Sequence, residues 1–343
     1  MKIVRSDAHR LHFPTGELYR GELVRPFESP ERIDYINAAL ETVGFDDEVE
    51  VSPVEDALLN QVHDAAYVEF LRTAWSEWTS LGKTNDMIPS CFPVRRTNSH
   101  IPTHVDGKLG WYAFAAETSI THGTWEAAHG AASLARTAQR AVSAGAQSAF
   151  ALCRPPGHHA SADYFGGYCF LNNAGIAAQG FRNDGAARVA ILDVDFHHGN
   201  GTQDIFYSRE DIFFASLHGD PAFEFPYFLG HADETGSGPG EGYNANYPLA
   251  PGTTFDLWPE AFDDALRRIM SFGPDALVVS LGVDTYEADP ISSFKLSSDD
   301  FITYGERFGA LGLPTVYVME GGYAVEEIGT NTVNVLVGHS NAE

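Results

Sequence analysis

Apolar runs that end in polar or charged residues recur through the second half of the chain. After about residue 145 these runs alternate with amphipathic stretches such as Asn172–Asn183 and Glu260–Phe272. They predict buried strands at Ser148–Arg154, Arg188–Val194, Ile212–Leu217, Ala276–Leu281 and Thr315–Met319. Strands that alternate with helices predict βαβ units and an α/β fold, with a parallel sheet flanked by helices on both faces. We expect residues 1–343 to form a single domain, because no linker, internal repeat or low-complexity tract interrupts the pattern.

The stretch Asn85–Glu117 departs from this pattern. It carries several prolines, the pair Trp111-Tyr112 and the pair Arg95-Arg96, and it has no clear periodicity. A long irregular segment inside a compact domain is usually functional or partner-binding. A plain surface insertion is the alternative interpretation.

Composition narrows the classes of function. The formal charge of −26 disfavours nucleic-acid binding, which needs a basic face, and it favours cationic ligands, although solubility alone would also explain it. The three cysteines, Cys91, Cys153 and Cys169, have no CxxC spacing, which fits a reducing cytoplasm. We expect no membrane association, because the chain has no long apolar run and its first residues do not resemble a signal peptide.

Chemistry-bearing residues follow several of the predicted strands. The segments are Arg154-Pro-Pro-Gly-His-His159, Asp193-Val-Asp-Phe-His-His198, Gly282-Val-Asp284 and Glu320-Gly-Gly-Tyr323. Because the carboxyl ends of parallel strands share one edge of the sheet, these segments are expected to meet there. Residues two apart on an extended segment point the same way, so Asp195 and His197 would project together.

These residues can be assembled into a hydrolytic site. Asp195, His197 and Asp284 are suitable ligands for zinc or another divalent metal, and three protein ligands leave a position for water and substrate. His158 and His159 could move the proton of that water to the leaving amine. Tyr323 could donate a hydrogen bond to the developing oxyanion. The predicted reaction is metal-assisted hydrolysis of an amide.

Each of these residues also has a structural explanation. A histidine pair in a loop is often structural, an aspartate past a strand is often a helix cap, and Gly-Gly-Tyr is often a turn. We favour a functional site because all the segments are expected at one sheet edge. The sequence contains no phosphate-binding GxxxxGK[ST] loop, no GxGxxG motif between a strand and a helix, and no GxSxG elbow.

The chain resembles the zinc-dependent, histone-deacetylase-like side of the arginase–deacetylase superfamily, and within it the bacterial acetylpolyamine amidohydrolases. The resemblance runs over nearly the whole chain. It is carried by Phe27-Glu-Ser-Pro-Glu-Arg32, Val62-His-Asp-Ala-Ala-Tyr67, Arg154–His159, Gly166-Gly-Tyr-Cys-Phe-Leu-Asn-Asn173, Asp193–Gln203, Asp284-Thr-Tyr-Glu-Ala-Asp-Pro290 and Glu320–Tyr323.

The resemblance implies roles for the candidate site residues. Asp195, His197 and Asp284 would bind zinc, although iron(II) also suits these ligands. Of the tandem histidines His158 and His159, the second would be the general base and acid, with Asn200 as its neutral partner. Asp193 would orient His158, and Tyr323 would polarise the scissile carbonyl. A binuclear ureohydrolase is disfavoured, because Gly199 and Tyr286 stand where a second metal would need carboxylates.

Further residues are assigned only through the resemblance. A tunnel for the acyl-amine would be lined by Tyr168, Phe225, Gly167 and Ile291. Structural monovalent cations, K⁺ or Na⁺, would bind at two sites, one at Asp193, Asp195, Ser216 and Leu217 and one near Phe206, Arg209, Ile212 and Tyr243. The insertion at 85–117 would form a homodimer interface and narrow the channel. Asp106, Glu117 and Glu17 would then be candidates to pair with substrate ammonium groups.

The resulting expectation is a hydrolase that releases acetate and free amine from acetylputrescine, acetylspermidine and similar small cationic amines. A deacetylase of acetyl-lysine in proteins is the alternative enzyme. A non-catalytic acyl-binding protein is the alternative from another class, and the intact set of predicted ligands speaks against it.

Overall fold

The sheet runs through the middle of the molecule. The structure is a computed structural model that describes residues 1–94 and 100–343. Within these ranges the strands are β1 (Lys2–Val4), β2 (Glu17–Tyr19), β3 (Glu22–Val24), β4 (Ser148–Ala151), β5 (Val189–Asp193), β6 (Ile212–Gly219), β7 (Asn244–Leu249), β8 (Ala276–Leu281) and β9 (Thr315–Met319). Seven of them form one sheet in the order β1-β4-β9-β8-β5-β6-β7. All its described pairings are parallel, which confirms the predicted fold class.

Helices cover both faces of this sheet. They are α1 (Glu31–Val43), α2 (Asp56–Val62), α3 (Ala65–Ser80), α4 (Val105–Tyr112), α5 (Thr124–Ser143), α6 (Asn173–Asn183), α7 (Asn200–Phe206), α8 (Trp258–Phe272), α9 (Ser298–Gly309) and α10 (Val325–Ala342). Short 3₁₀ helices span Asp7–Leu11 and Gly238–Gly240.

The strand β5 illustrates why the apolar runs form central strands. Its side chains alternate, so Ala190 and Leu192 pack in the core on the side of α1, α8, α9 and α10. Val189 and Ile191 pack in the core on the side of α5 and α6. A strand that is buried on both faces reads as a continuous apolar run, which is how the sequence predicts it.

The hairpin of β2 and β3 lies outside the main sheet and was not predicted. Its two-residue turn, Arg20-Gly21, has positive φ at both positions, 49° and 88°. This is the arrangement of a type I′ turn, which matches the twist of the flanking strands. The hairpin carries Leu18, Tyr19 and Arg20 to the edge of the pocket described below.

The segment Asn85–Glu117 is more ordered than its composition indicates. The helix α4 lies within it, and the N-cap residue His104 accepts a hydrogen bond on its imidazole from the backbone of Asp106. The expectation of an irregular loop is therefore wrong for residues 105–112. Gly107 and Gly110 lower the helix propensity of this stretch, and Gly110 is required because an added Cβ would collide with the carbonyl oxygen of Cys91. Arg95 and Arg96 lie outside the described residues.

Candidate active site

The carboxyl ends of β5 and β8 bring the predicted metal ligands together. Asp195 and His197 follow β5, and Asp284 follows β8, its neighbour in the sheet. Each residue offers one ligand atom, and these atoms lie within 4.8 Å of one another. Asp195 and Asp284 are fully buried and His197 is 9% exposed.

The residues around these groups fit a divalent cation. Gly282 and Gly321 leave room for the carboxylate of Asp195. An added Cβ would lie 2.1 Å from Oδ2 of Asp195 at Gly282 and 2.6 Å from the same atom at Gly321. Among the described residues, the ion pairs of the two carboxylates are with histidines and not with lysine or arginine. Buried carboxylates of this kind are usually paired or bound to a metal. This combination of carboxylate and imidazole ligands suits both zinc and iron(II).

The tandem histidines lie beside the predicted metal ligands and have different partners. Nδ1 of His158 lies 3.0 Å from Oδ2 of Asp193, and Nδ1 of His159 lies 2.6 Å from Oδ1 of Asn200. Burial works against protonation of His158, but the carboxylates of Asp195 and Asp193 outweigh it and raise its pKa to about 10. Burial lowers the pKa of His159 well below its ordinary value, and the adjacent His158 adds to the effect.

The loop after β9 positions Tyr323 at the same edge. Gly321 donates its backbone N–H to Oδ2 of Asp195 over 2.7 Å, which connects this loop to a predicted metal ligand. The guanidinium of Arg32 lies 5.0 Å from the centre of the Tyr323 ring. Burial raises the pKa of the Tyr323 hydroxyl well above its ordinary value, so the group stays protonated at neutral pH and can donate a hydrogen bond.

A cavity of about 250 Å³ opens onto these groups. Three of the lining residues, His159, His197 and Tyr323, belong to the predicted catalytic and metal-binding set. The predicted tunnel residues also line it, together with others that the sequence did not single out. The remaining lining residues are Leu18, Tyr19, Arg20, Glu117, Gly167, Tyr168, Glu224, Phe225, Tyr227 and Ile291.

The aromatic walls of this cavity are held by specific contacts. Tyr168 has a left-handed φ of 66°, and its ring meets that of Tyr323 edge-on at 5.7 Å. Gly167 must be glycine, because an added Cβ would lie 2.2 Å from the His159 ring. On the other side, the ring of Phe225 lies 5.1 Å from that of His159 at an angle of 90°.

The predicted acidic residues occupy three different environments. Glu117 lines the cavity and accepts the N–H of Gly167 over 2.7 Å. Glu17 is buried behind the wall and accepts the Tyr168 hydroxyl over 3.0 Å, and burial raises its pKa to about 7. Asp106 is exposed on α4 and is not among the residues that line the cavity of its own chain. Glu224, which was not predicted, lines the cavity and accepts the hydroxyl of Ser293 over 2.8 Å.

The residues predicted to hold monovalent cations lie around β5 and β6. Ser216 is opposite Asp193 in the register of the two strands, and Leu217 follows it. At the other end of β6, Ile212 begins the strand, and Tyr243 accepts a hydrogen bond from Phe214. Phe206 is the last residue of α7, and Arg209 lies in the connection from α7 to β6. The cation sites stay predictions.

Comparison with known proteins identifies the family. The model of the histone deacetylase domain matches residues 26–338. The chain belongs to the histone deacetylase domain family. It is 56% identical to acetylpolyamine amidohydrolase 1 of Pseudomonas aeruginosa over 344 residues, which cover 100% of this chain and 99% of that protein. It is 55% identical to the acetylpolyamine amidohydrolase of Mycoplana ramosa over 340 residues, covering 98% of this chain and 99% of that one.

A solved structure shows the same fold. The crystal structure of acetylpolyamine aminohydrolase from Burkholderia pseudomallei superposes with a TM-score of 0.95 at 40% identity, covering 100% of this chain and 99% of that chain. The resemblance stated from sequence motifs is therefore confirmed, and so is the assignment of the chain as a hydrolase that acts on amides. In the described residues, no helix is long and apolar enough to span a membrane.

Proposed function

We propose that this member of the family is a zinc-dependent amidohydrolase that removes acetyl groups from acetylated polyamines. Acetylputrescine and acetylspermidine are the proposed substrates, and acetate and the free amine are the products. We also propose that the enzyme is a cytoplasmic homodimer that binds K⁺ or Na⁺ as a structural ion. Relatives above 50% identity that span the whole chain and carry the name acetylpolyamine amidohydrolase support the substrate class.

The observation that carries the proposal is the composition of the cavity. Its inner end presents His159, His197 and Tyr323, and its wall presents the carboxylates of Glu117 and Glu224. An extended acetylated amine has an uncharged amide at one end and an ammonium group further along. A cavity with a reactive end and acidic walls matches that distribution of charge.

The residues of the chain supply the acid–base steps. When bound by Asp195, His197 and Asp284, Zn²⁺ would polarise the acetyl carbonyl and acidify a water molecule. Nδ1 of His159 faces Asn200, and its ring also lines the cavity. His159 therefore accepts the proton of the attacking water and returns it to the nitrogen of the leaving amine.

Four further side chains prepare the site for reaction. Tyr323 donates a hydrogen bond from its hydroxyl to the carbonyl oxygen as negative charge develops there. The rings of Tyr168 and Phe225 confine the acetylated arm and exclude water from the reacting amide. Glu17 supports this wall, because it holds the hydroxyl of Tyr168.

The proposed dimer rests on the insertion. Its exposed apolar side chains include Ile88, Phe92 and Ile101, which are 39%, 38% and 53% exposed. Exposed apolar residues clustered in one segment are typical of a contact surface. In such a dimer, Asp106 would act across the interface on the pocket of the partner subunit, since it lies outside the lining of its own.

The test is a comparison of substrates with measured metal content. We expect kcat/KM of the zinc-loaded enzyme to be much higher for acetylputrescine and acetylspermidine than for an acetyl-lysine peptide. Equal or better turnover of the peptide would support the alternative of a protein deacetylase. Absence of turnover on every acetyl amide, in an enzyme with stoichiometric zinc, would support an acyl-binding protein instead. Asp195→Ala serves as the control and should lose both zinc and activity.

A further inference from the structure

The peptide bond between Gly322 and Tyr323 is held from both sides. Its carbonyl oxygen accepts a hydrogen bond from Nε of Arg32 over 2.7 Å. Its N–H donates to Oδ2 of Asp289, also over 2.7 Å. Because the C=O and N–H of a trans peptide point in opposite directions, these two contacts fix the orientation of the peptide plane.

This constraint acts where the backbone is otherwise free to rotate. Gly321 and Gly322 precede the tyrosine, and Gly322 has a φ of +128°, which L side chains rarely adopt. A rotation of the peptide after Gly322 would move the Tyr323 ring and hence its hydroxyl. A hydrogen-bond donor for the oxyanion must be placed to within a few tenths of an ångström, roughly 0.5 Å, to be effective.

Asp289 also holds the neighbouring wall of the cavity. Its Oδ1 atom accepts the N–H of Ile291 over 3.0 Å, and Ile291 lines the cavity. The carboxylate is only 7% exposed, so its oxygens are satisfied mainly by these backbone donors. One buried side chain therefore connects the loop that follows β8 with the loop that follows β9.

Arg32, which holds the other side of this peptide bond, is itself fixed by buried contacts. Arg32 is fully buried and donates to Oε1 of Glu28 over 2.9 Å. Glu28 also accepts from Nε of Arg154 over 2.7 Å. Arg32 is thus fixed before it meets the peptide, and Asp289 provides the second fixed point.

We propose that Asp289 is a positioning residue, which orients the Tyr323 hydroxyl by holding the peptide bond between Gly322 and Tyr323 against Arg32. The inference rests on the proposed function only in that Tyr323 is taken as the donor to the substrate carbonyl. Asp289 has no contact with the substrate in this role, and all of its effect on the reaction passes through Tyr323.

The test is a double-mutant cycle of Asp289→Asn and Tyr323→Phe. Asparagine keeps one acceptor oxygen but presents an NH₂ group to one of the two backbone donors. We expect Asp289→Asn to lower kcat roughly 10- to 100-fold with a change in KM below about threefold, because the tyrosine contributes mainly in the transition state. In the Tyr323→Phe background the same change should lower kcat less than about twofold, since coupled residues are not additive. Asp7→Asn, at an aspartate whose side chain is 98% exposed, is the matched control and should leave kcat unchanged.

The outcomes separate this inference from the proposed function. If Asp289→Asn lowers kcat by the same factor with and without the Tyr323 hydroxyl, the positioning role is overturned while the proposed function stands. If Tyr323→Phe alone retains normal kcat with intact zinc, the proposed role of the tyrosine fails first. Should Asp289→Asn not fold, the same cycle with Arg32→Lys tests the peptide contact from its other side, because lysine lacks the Nε donor. If Arg32→Lys lowers kcat by the same factor with and without the Tyr323 hydroxyl, the inference is likewise overturned.

Discussion

Nδ1 of His159 lies 2.6 Å from the side-chain oxygen of Asn200, a neutral partner. The adjacent His158 faces the carboxylate of Asp193 instead. The two imidazoles accordingly have different pKa values. The pKa of His158 is raised to about 10, and the pKa of His159 is lowered well below its ordinary value. A buried histidine without a charged partner stays neutral at physiological pH, as a general base must.

We therefore expect Asn200→Asp to change the pH dependence of the reaction. The new carboxylate favours the protonated form of His159, so the pKa of His159 should rise. Because the base must be neutral to accept a proton, the acidic limb of the kcat/KM profile should move to higher pH. The kcat/KM profile against pH, measured on acetylputrescine, shows whether the acidic limb moves. Asn60→Asp, at an exposed position on α2, is the control. An unchanged acidic limb in an Asn200→Asp enzyme with normal zinc content would contradict the assignment.

The carboxylates of the cavity wall should select for positive charge on the substrate. We expect Glu117→Gln and Glu224→Gln each to lower kcat/KM for acetylputrescine by roughly 10-fold, because a hydrogen bond to a charged group contributes about 1.5–3 kcal/mol. Turnover of the uncharged analogue N-acetylbutylamine should stay within about twofold, since it has no ammonium group to lose.

The matched control for these variants is Glu210→Gln, at an exposed position that does not line the cavity. Equal losses on the charged and the uncharged substrate would mean that the variants disturb the cavity walls. In that case Glu117 would affect turnover by positioning Gly167, whose N–H donates to it. Glu224 would do so by positioning Ser293, whose hydroxyl donates to it.

Five strands of the main sheet, namely β4, β5, β6, β8 and β9, were predictable from sequence, and so was the meeting of the candidate metal ligands, because both follow from local patterns. β8 and β9 begin and end at the predicted residues, since strands buried on both faces are continuous apolar runs. Asp195, His197 and Asp284 were predictable because polar groups directly after such strands share one sheet edge.

The cavity wall was less predictable, because it is built from very short strands and from residues that are far apart in the sequence. The hairpin Glu17–Val24 has strands of three residues each, too short for a periodic pattern, yet it supplies Leu18, Tyr19 and Arg20 to the wall. Glu224 is a single glutamate in a loop, and only the fold brings it beside Ser293. The tie between Asp289 and Tyr323 joins residues 34 positions apart, and it has no local signature.

The proposed dimer can be tested without removing the insertion. A full deletion would remove Val105, Leu109 and Tyr112, which are buried in the core beside α3. We expect Phe92→Glu combined with Ile101→Glu to shift the protein to a monomer, because charges inserted into an apolar contact are costly to desolvate. Sedimentation velocity measures the change. Leu257→Glu, at a residue that is 64% exposed elsewhere, should leave the mass unchanged. A dimer that survives the double change would place the interface elsewhere.

Glu17 should make the stability of the fold depend on pH. Burial raises its pKa from 4.5 to about 7, so the folded state holds this proton more tightly than the unfolded state does. For an acid with a raised pKa, folding stability is highest below the unfolded value and falls as the pH rises through the folded value. The free energy of unfolding should thus fall between about pH 4.5 and pH 7 and stay constant above that range.

Glu17→Gln removes this titration while keeping an acceptor for the hydroxyl of Tyr168. The Tm of the variant relative to the unmodified enzyme should therefore be higher at pH 8 than at pH 5. Thermal unfolding at the two pH values measures the difference, with Glu22→Gln on the exposed strand of the same hairpin as the control. A Tm difference that is the same at both pH values would show that Glu17 ionises in the folded state as it does in the unfolded chain. Its carboxylate would then be charged beside Tyr168 at neutral pH even without a cationic substrate.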